Sequence, residues 1–391
     1  MFRLKYIWRK ISTYKPKRIF VIVFFIFLVS GVAAFLFLRQ EIFPPAEYAV
    51  SSVAAIPPPA KKKAAHISTP VPVRGIYMTS WVAGTKDWRE KLMKMIDDTE
   101  LNSVVIDVKD YSGRISFEVS NPVLKEIGAS EKRIPDIREF IQELHQRNIY
   151  VIARISVFQD AYLVKKRPDL AVKKKDGGVW KDYKGISWLN SASVEVWDYT
   201  IKISQEAESV GFDELNFDYI RYPSDGNMKD IVLLYADGAS NKAESIRNFF
   251  AYLEKKLRPL KIPLSADLFG FVTTHTDDLN IGQILEYAEP YFDYICPMVY
   301  PSHYPPTYDG FKNPAAHPYE VIYHAMASST QRMLAVSSTP SKLRPWLQDF
   351  DLGADYTAEM IRKEQQAVYD AGLDSWLLWD PTNKYTRGAL D

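Results

Sequence analysis

Cysteine occurs once in the 391 residues, at Cys296, so no disulfide can form within the chain. That excludes a cross-linked secreted scaffold and leaves room for a bacterial surface protein. Cys296 lies in an apolar stretch and reads as a small core residue. Histidine is sparse as well: the six are scattered, with no His-x-His and no Cys-x-x-Cys, which argues against a transition-metal site and calls for no cofactor. An excess of one charge is also missing. The net charge of +1 gives no general attraction for nucleic acid. A Gly-rich phosphate loop is absent where a dinucleotide fold would need it, because Trp81-Val82-Ala83-Gly84-Thr85 contains no G-x-G-x-x-G.

Charge is present but unevenly placed. Arg3, Lys5, Arg9, Lys10, Lys15, Lys17 and Arg18 precede an uncharged run from Ile19 to Leu38. A helix needs roughly 20 apolar residues to cross the hydrocarbon core, and upstream basic residues keep the N-terminus inside. The apolar residues Phe35 to Leu38 continue past Val32-Ala33-Ala34, which favours an uncleaved anchor over a signal peptide. The expectation is a basic cytoplasmic segment at 1–18, a transmembrane anchor at 19–38 and a linker at 39–72. The linker is rich in Pro and Lys, with Pro57-Pro58-Pro59 and Lys61-Lys62-Lys63, and has little to bury. This places the remainder, 73–391, on the outer side of a cell membrane.

From residue 73 short β-branched or aromatic runs alternate with amphipathic stretches. The pattern predicts strands at Val73–Trp81, Ser103–Asp110, Tyr150–Phe158, Glu214–Pro223, Leu264–Gly270, Tyr294–Pro301, Met333–Ser338 and Ser375–Pro381. Helices are expected over Lys86–Glu100, Ile134–Arg147, Val194–Val210, Lys242–Leu257, Leu279–Ala288, Tyr319–Ser328 and Thr357–Ala371. Eight strands with crossover helices close into a (β/α)8 TIM barrel, an α/β fold whose function sits at the strands' C-terminal ends. After the last strand there is room only for a short helical turn. The segments after strands three and six, about 159–192 and 302–318, are long and aromatic, as loops shaping a cleft would be.

Strand four, Phe212-Asp213-Glu214-Leu215-Asn216-Phe217-Asp218-Tyr219-Ile220-Arg221-Tyr222-Pro223, carries the strongest chemical signal. Alternation puts Asn216 and Asp218 on one face, and a carboxylate inside a strand needs a partner or a task. Arg154 on the adjacent strand could be the partner, so Asp218 reads as catalytic, structural or both. Asp267 ends the next strand and completes a pair of carboxylates, the requirement of glycosidic cleavage; it acts either as proton donor or in substrate binding. Asp107, Lys109 and Asp110 end strand two, and Asp380 ends strand eight as another candidate acid. Tyr77, Trp81, Tyr111, Phe158, Tyr222, Tyr300, Trp376 and Trp379 stand at strand ends. Some of them stack on sugar rings while the rest fill the barrel.

The segments Arg74-Gly75-Ile76-Tyr77, Val105-Ile106-Asp107-Val108-Lys109-Asp110, Phe217-Asp218-Tyr219-Ile220-Arg221-Tyr222-Pro223, Pro297-Met298-Val299-Tyr300-Pro301 and Trp379-Asp380-Pro381 resemble the glycoside hydrolase-like domain family of bacterial envelope proteins. The resemblance covers nearly all of 73–391 and implies a TIM barrel distantly similar to true glycosidases. Strand four is also similar to the family 18 chitinase signature D-x-x-D-x-D-x-E, with Asp213, Asn216 and Asp218 at the Asp positions. Asn216 replaces an Asp there and Ile220 replaces the acidic Glu, so that family's substrate-assisted mechanism is not available at this strand.

Together these readings predict an anchored glycoside hydrolase acting on a cell-wall or extracellular polysaccharide. Asp218 would be nucleophile or base and Asp267 the acid. Trp81, Asp107, Asp110, Arg154, Asn216, Arg221, Tyr222, Tyr300, Trp379 and Asp380 would hold substrate or set charge. A non-catalytic polysaccharide-binding barrel of the envelope and a metal-dependent hydrolase on the same scaffold are the alternatives.

Overall fold

The structure, a computed structural model, describes residues 64–391. The basic segment, the apolar run 19–38 and most of the linker lie outside the described residues. Among the described residues no helix is long and apolar enough to cross a membrane.

Eight parallel strands form a closed barrel: β1 (Arg74–Met78), β2 (Ser103–Lys109), β3 (Tyr150–Ser156), β4 (Glu214–Asp218), β5 (Leu264–Phe269), β6 (Tyr294–Met298), β7 (Trp346–Gln348) and β8 (Trp376–Trp379). They neighbour one another in chain order, and β8 returns to β1 with Arg74 opposite Trp376. Crossover helices α1 (Lys86–Asp97), α2 (Ile137–Gln146), α3 (Val194–Val210), α4 (Lys242–Leu257), α5 (Leu285–Ala288), α6 (Pro318–Ala335) and α7 (Ala358–Asp370) link successive strands.

The strands are buried on both faces, as parallel strands wrapped by helices must be. On β4 the outward residue is Phe217, whose ring lies 6.3 Å from Phe292, itself 5.1 Å from Phe250 of α4. Phe250 belongs to the buried stripe Ile246, Phe249, Phe250, Leu253 and Leu257, the spacing of one helix face. Each such side chain contributes about 1.5–3 kcal/mol by leaving water. The helix starts where Asn241 accepts from the Glu244 N–H at 2.9 Å while Glu244 reaches back to the Ser240 N–H at 2.7 Å.

Two strand and helix expectations need correction. Met333–Ser338 is no strand: Met333 to Ala335 form the last turn of α6, which runs 18 residues. A short apolar run cannot by itself distinguish strand from helix, and β7 is only the three residues after Pro345. The helix expected over Leu279–Ala288 shrinks to Leu285–Ala288, because Leu279 and Asn280 both take positive φ, 51° and 56°, which a right-handed helix cannot include. The chain ends on the expected short helical turn, Arg387–Ala389.

The last residues of the expected linker belong to the barrel. The Ile67 N–H donates to Asp213 at 2.8 Å and the Thr69 hydroxyl to Tyr150 at 3.0 Å, both at the N-terminal ends of strands. On this floor Arg344 donates to Glu214 at 3.0 Å and Tyr150 donates to Glu214 at 3.0 Å, with the guanidinium 3.9 Å from the Tyr294 ring. At the opposite end, the loop after β3 pairs Lys173–Lys174 antiparallel with Ile231–Val232 from the loop after β4, tying two rim segments together.

Candidate active site

Strand register decides which side chains meet at the mouth. Asp107 of β2 lies opposite Arg154 of β3, Arg154 opposite Asn216 of β4, and Asn216 opposite Ser265 of β5, two residues before Asp267. Asp107, Arg154, Asn216 and Asp267 point inward toward the C-terminal half of the barrel, the end at which barrels place their function. Arg154 is the hub. Its Nη1 donates to Asp107 at 2.7 Å, its Nε and Nη2 both reach Asp218 Oδ2, the former at 3.1 Å, and its Nε lies 3.9 Å from Asp267 Oδ2. The guanidinium sits 5.0 Å from the Trp379 ring and 5.5 Å from that of Tyr77, which stack on each other at 4.0 Å. Tyr77 completes the ring of contacts by donating to Asp107 at 2.5 Å. Charges this deep are tolerable only when paired and hydrogen-bonded, which these are.

The two carboxylates singled out for chemistry differ in surroundings. Asp218 Oδ2 is ion-paired with Arg154, and its Oδ1 accepts the Tyr219 N–H at 2.6 Å. Asp267 accepts on Oδ1 from Asn216 at 2.9 Å and from the Trp346 indole at 2.8 Å. Burial, and then the neighbouring Asp218 charge, push its pKa up to about 8 against the pull of Arg154. This favours the neutral form of Asp267, in which Oδ2 is the oxygen left to carry the proton. Burial also raises Asp107. For Arg154 burial pulls downward, but the charges of Asp218 and Asp107 outweigh it and keep the group protonated. Because Asp218 Oδ2 and Asp267 Oδ2 lie 3.1 and 3.9 Å from one nitrogen, the oxygens are no more than about 7 Å apart, near or below the lower edge of the inverting range.

A cavity of about 260 Å³ opens over this pair, lined by Arg154, Asp218, Arg221, Asp267, Tyr300 and Trp379 among the expected residues. Pockets for larger molecules run roughly 300–1,000 Å³, so the deep part suits about one sugar ring. Asp107 and Asn216 lie beneath it and hold its floor. Four expected residues are placed elsewhere. Tyr222 points into the core, its hydroxyl donating to Leu234 O at 2.7 Å. Trp81 is 60% exposed, outside the cavity, on a short helix after β1 with Arg133 over its ring at 4.6 Å. Asp110 accepts from Arg133 at 2.6 Å and from the Ser112 N–H at 2.9 Å, while Asp380 caps a turn by accepting the Thr382 N–H at 2.5 Å. Lys109, after a shift of register on β2, turns to Asp160 at 2.7 Å rather than to the carboxylate pair.

Sequence reasoning missed Trp346, His303 and the placement of Tyr219, all of which line the cavity. Trp346 sits on the strand that was misplaced. Tyr219 takes φ +53°, a conformation a bulky residue adopts only under constraint. That turn breaks the β4 alternation, so Tyr219 and Arg221 face the cavity while Tyr222 turns to the core. Gly270 lets the ends of β5 and β6 close up there, since a Cβ would lie 2.4 Å from Met298 O. Burial, with some help from Lys184, lowers the His303 pKa. Among the described residues no three His, Cys, Asp or Glu side chains gather as a metal site.

A family model described as "Putative glycosyl hydrolase domain" matches residues 75–385. No curated protein matches the sequence. Among solved structures, a hypothetical protein from Ruminiclostridium thermocellum is 35% identical over 49% of this chain and 96% of its own, with a TM-score of 0.45. The PgaB (BpsB) glycoside hydrolase domain from Bordetella bronchiseptica is similar at TM-score 0.58 and 13% identity, covering 80% of this chain and 94% of that one. Alpha-L-fucosidase isoenzyme 2 from Paenibacillus thiaminolyticus follows the same fold at TM-score 0.55 and 14% identity, over 81% of this chain and 47% of that one.

Proposed function

The chain belongs to this family of glycosyl hydrolase domains, and from that premise we propose that it cleaves a cell-wall or extracellular polysaccharide with two carboxylates, Asp218 and Asp267. The observation that carries the reading is their division of labour: one is ion-paired with Arg154, and the other has its pKa pushed up to about 8 by burial and by its neighbour's charge. A proton-donating acid beside a second carboxylate is what glycosidic cleavage asks for.

In the first step Asp267 donates its proton to the glycosidic oxygen as the C–O bond breaks, and Asp218 attacks the anomeric carbon to form a glycosyl ester. Asp267, now a carboxylate, then takes a proton from the water that displaces the ester. The product sugar leaves with its configuration retained, and both groups return to their starting states. The bound of about 7 Å on the carboxylate separation leaves room for retention. Tyr300 and Trp379 supply aromatic faces for the ring.

Reducing ends released from purified bacterial wall glycans and β-linked polysaccharides test the reading. Release falls about 100-fold or more in Asp267→Asn and Asp218→Asn while both stay folded. The absence of release from any glycan, with one of them still pulled down, would instead assign a binding role. The basic segment and the apolar run 19–38 support an anchored protein whose barrel is extracytoplasmic. Protease added to intact cells digests such a barrel; protection until lysis would sink that placement.

A further inference from the structure

One cation in the cavity has no carboxylate at ion-pair distance among the described residues. Arg221 follows Asp218 by three residues and lines the same cavity, yet only its Nη1 is used, donating to Tyr222 O at 3.0 Å and Ser224 Oγ at 3.1 Å. Its Nε and Nη2 make no hydrogen bond and are not sealed in protein. Among the described residues no carboxylate comes within the 4.0 Å of an ion pair, in contrast to Arg154, which is saturated by Asp107 and Asp218. The guanidinium is held in place by rings, 5.0 Å from Trp188 and 5.7 Å from Tyr219. Asp182, the nearby buried carboxylate, is occupied by the Trp188 indole at 3.0 Å and by the backbone N–H groups of Lys184 and Ile186.

Resting on the glycosidase reading above, we infer that this subsite takes an acidic sugar, with the free edge of Arg221 holding the sugar's carboxylate. Nε–H and Nη2–H form two parallel donors, the fork that matches a carboxylate. The group is pre-positioned by its two rings, so little side-chain entropy is lost on binding. Burial pulls the Arg221 pKa down, and the more distant charges of Asp218, Asp225 and Asp182, none of them within ion-pair reach, offset it only in part. A second cation, the exposed Lys184, makes its charge felt at His303 on the cavity wall, so the positive character extends to the rim. A singly charged carboxylate suits the site better than a more highly charged phosphate, which would also face Asp218. The carboxylate can come from a uronic acid ring or from the lactyl ether of a muramoyl residue, since both present the same fork.

The test pairs each acidic glycan with its carboxyl-reduced counterpart, in which the acid has become a primary alcohol. One arm uses a polyuronide and the other uses peptide-free wall glycan strands. For the full-length native protein the ratio of kcat/KM, acidic over reduced, is expected at about 10- to 100-fold in the arm that supplies the substrate. In Arg221→Gln the ratio falls to within about twofold of one, and Arg221→Lys keeps part of the preference. Calorimetric affinities of the same glycan pairs for Asp218→Asn give the ratio without turnover, so a failure of the hydrolytic reading is told apart from a failure of this one. A ratio near one for the native protein in both arms, or an unchanged ratio in Arg221→Gln, would overturn the inference. So would a preference for a phosphomonoester-bearing glycan over both carboxylates.

Discussion

Replacing Asp267 by Asn should stabilise the protein at neutral pH while abolishing its activity. The Asp267 pKa is raised from 3.8 to about 8 in the folded state. Between those values the folded protein holds a proton that the unfolded chain has released. Unfolding stability therefore falls as pH rises through this window, by about 1.4 kcal/mol per unit for one proton. The contribution is fully present below the unfolded pKa, near 4, and at pH 7 about 4 kcal/mol of it has gone. Asn mimics the neutral acid. Its Oδ1 can accept from Asn216 and Trp346 as Asp267 does, and its Nδ2–H₂ stands where the protonated Oδ2 was. Denaturant unfolding of the native protein and Asp267→Asn at pH 5, 6, 7 and 8 should show the variant's advantage growing with pH and vanishing toward pH 4. A difference in stability that stays constant from pH 5 to 7.5 would refute the claim that Asp267 carries the proton.

Three further outcomes follow from the same geometry. The alkaline limb of kcat/KM should fall near pH 8 as Asp267 ionises; Trp346→Phe, which removes a hydrogen bond that lowers this pKa, should move that limb to higher pH, and a limb that does not move would separate it from Asp267. Arg154→Met strands the carboxylates of Asp107 and Asp218 in the interior and should lose about 3–5 kcal/mol in denaturant melts; a loss under 1 kcal/mol would show that the hub is not needed for folding. Glu214→Gln, four residues or about 13 Å down the same strand, should destabilise by a similar amount through Arg344 and leave kcat of the folded protein unchanged; a large drop in kcat would mean that floor and mouth are coupled.

The barrel was legible because its strands are buried on both faces and its helices carry a single apolar stripe. Val194–Val210 and Lys242–Leu257 were readable to the residue, since Gly211 ends one and Asn241 begins the other. β7 was not legible. Three residues carry no period, and the longer apolar run at Met333–Val336 continues a helix instead. That error hid Trp346, which meets Asp267. The carboxylate pair and Arg154 could be read from alternation on β4 and from adjacency of the strands. Tyr222 could not be placed correctly, because the left-handed backbone at Tyr219 reverses the alternation after Asp218 and nothing in the residue type announces it. Asp110 and Asp380 directly follow their strands as expected, but the turns after them engage them, and Trp81 falls on a short helix after β1 instead of on the strand.

Arg154 takes its partners from β2 and β4 and approaches a third on β5, so one side chain ties together residues far apart in the chain. In energetic terms these positions are one unit, and substitutions at them are expected to be coupled. A lineage that lost Asp107 or Asp218 alone would keep an interior guanidinium short of its counter-charge, a destabilising step even where a second one would relieve it. Divergence in this family should therefore remove or exchange the arginine and its acids together. Double variants at Arg154 and Asp107 should be milder than the sum of the singles.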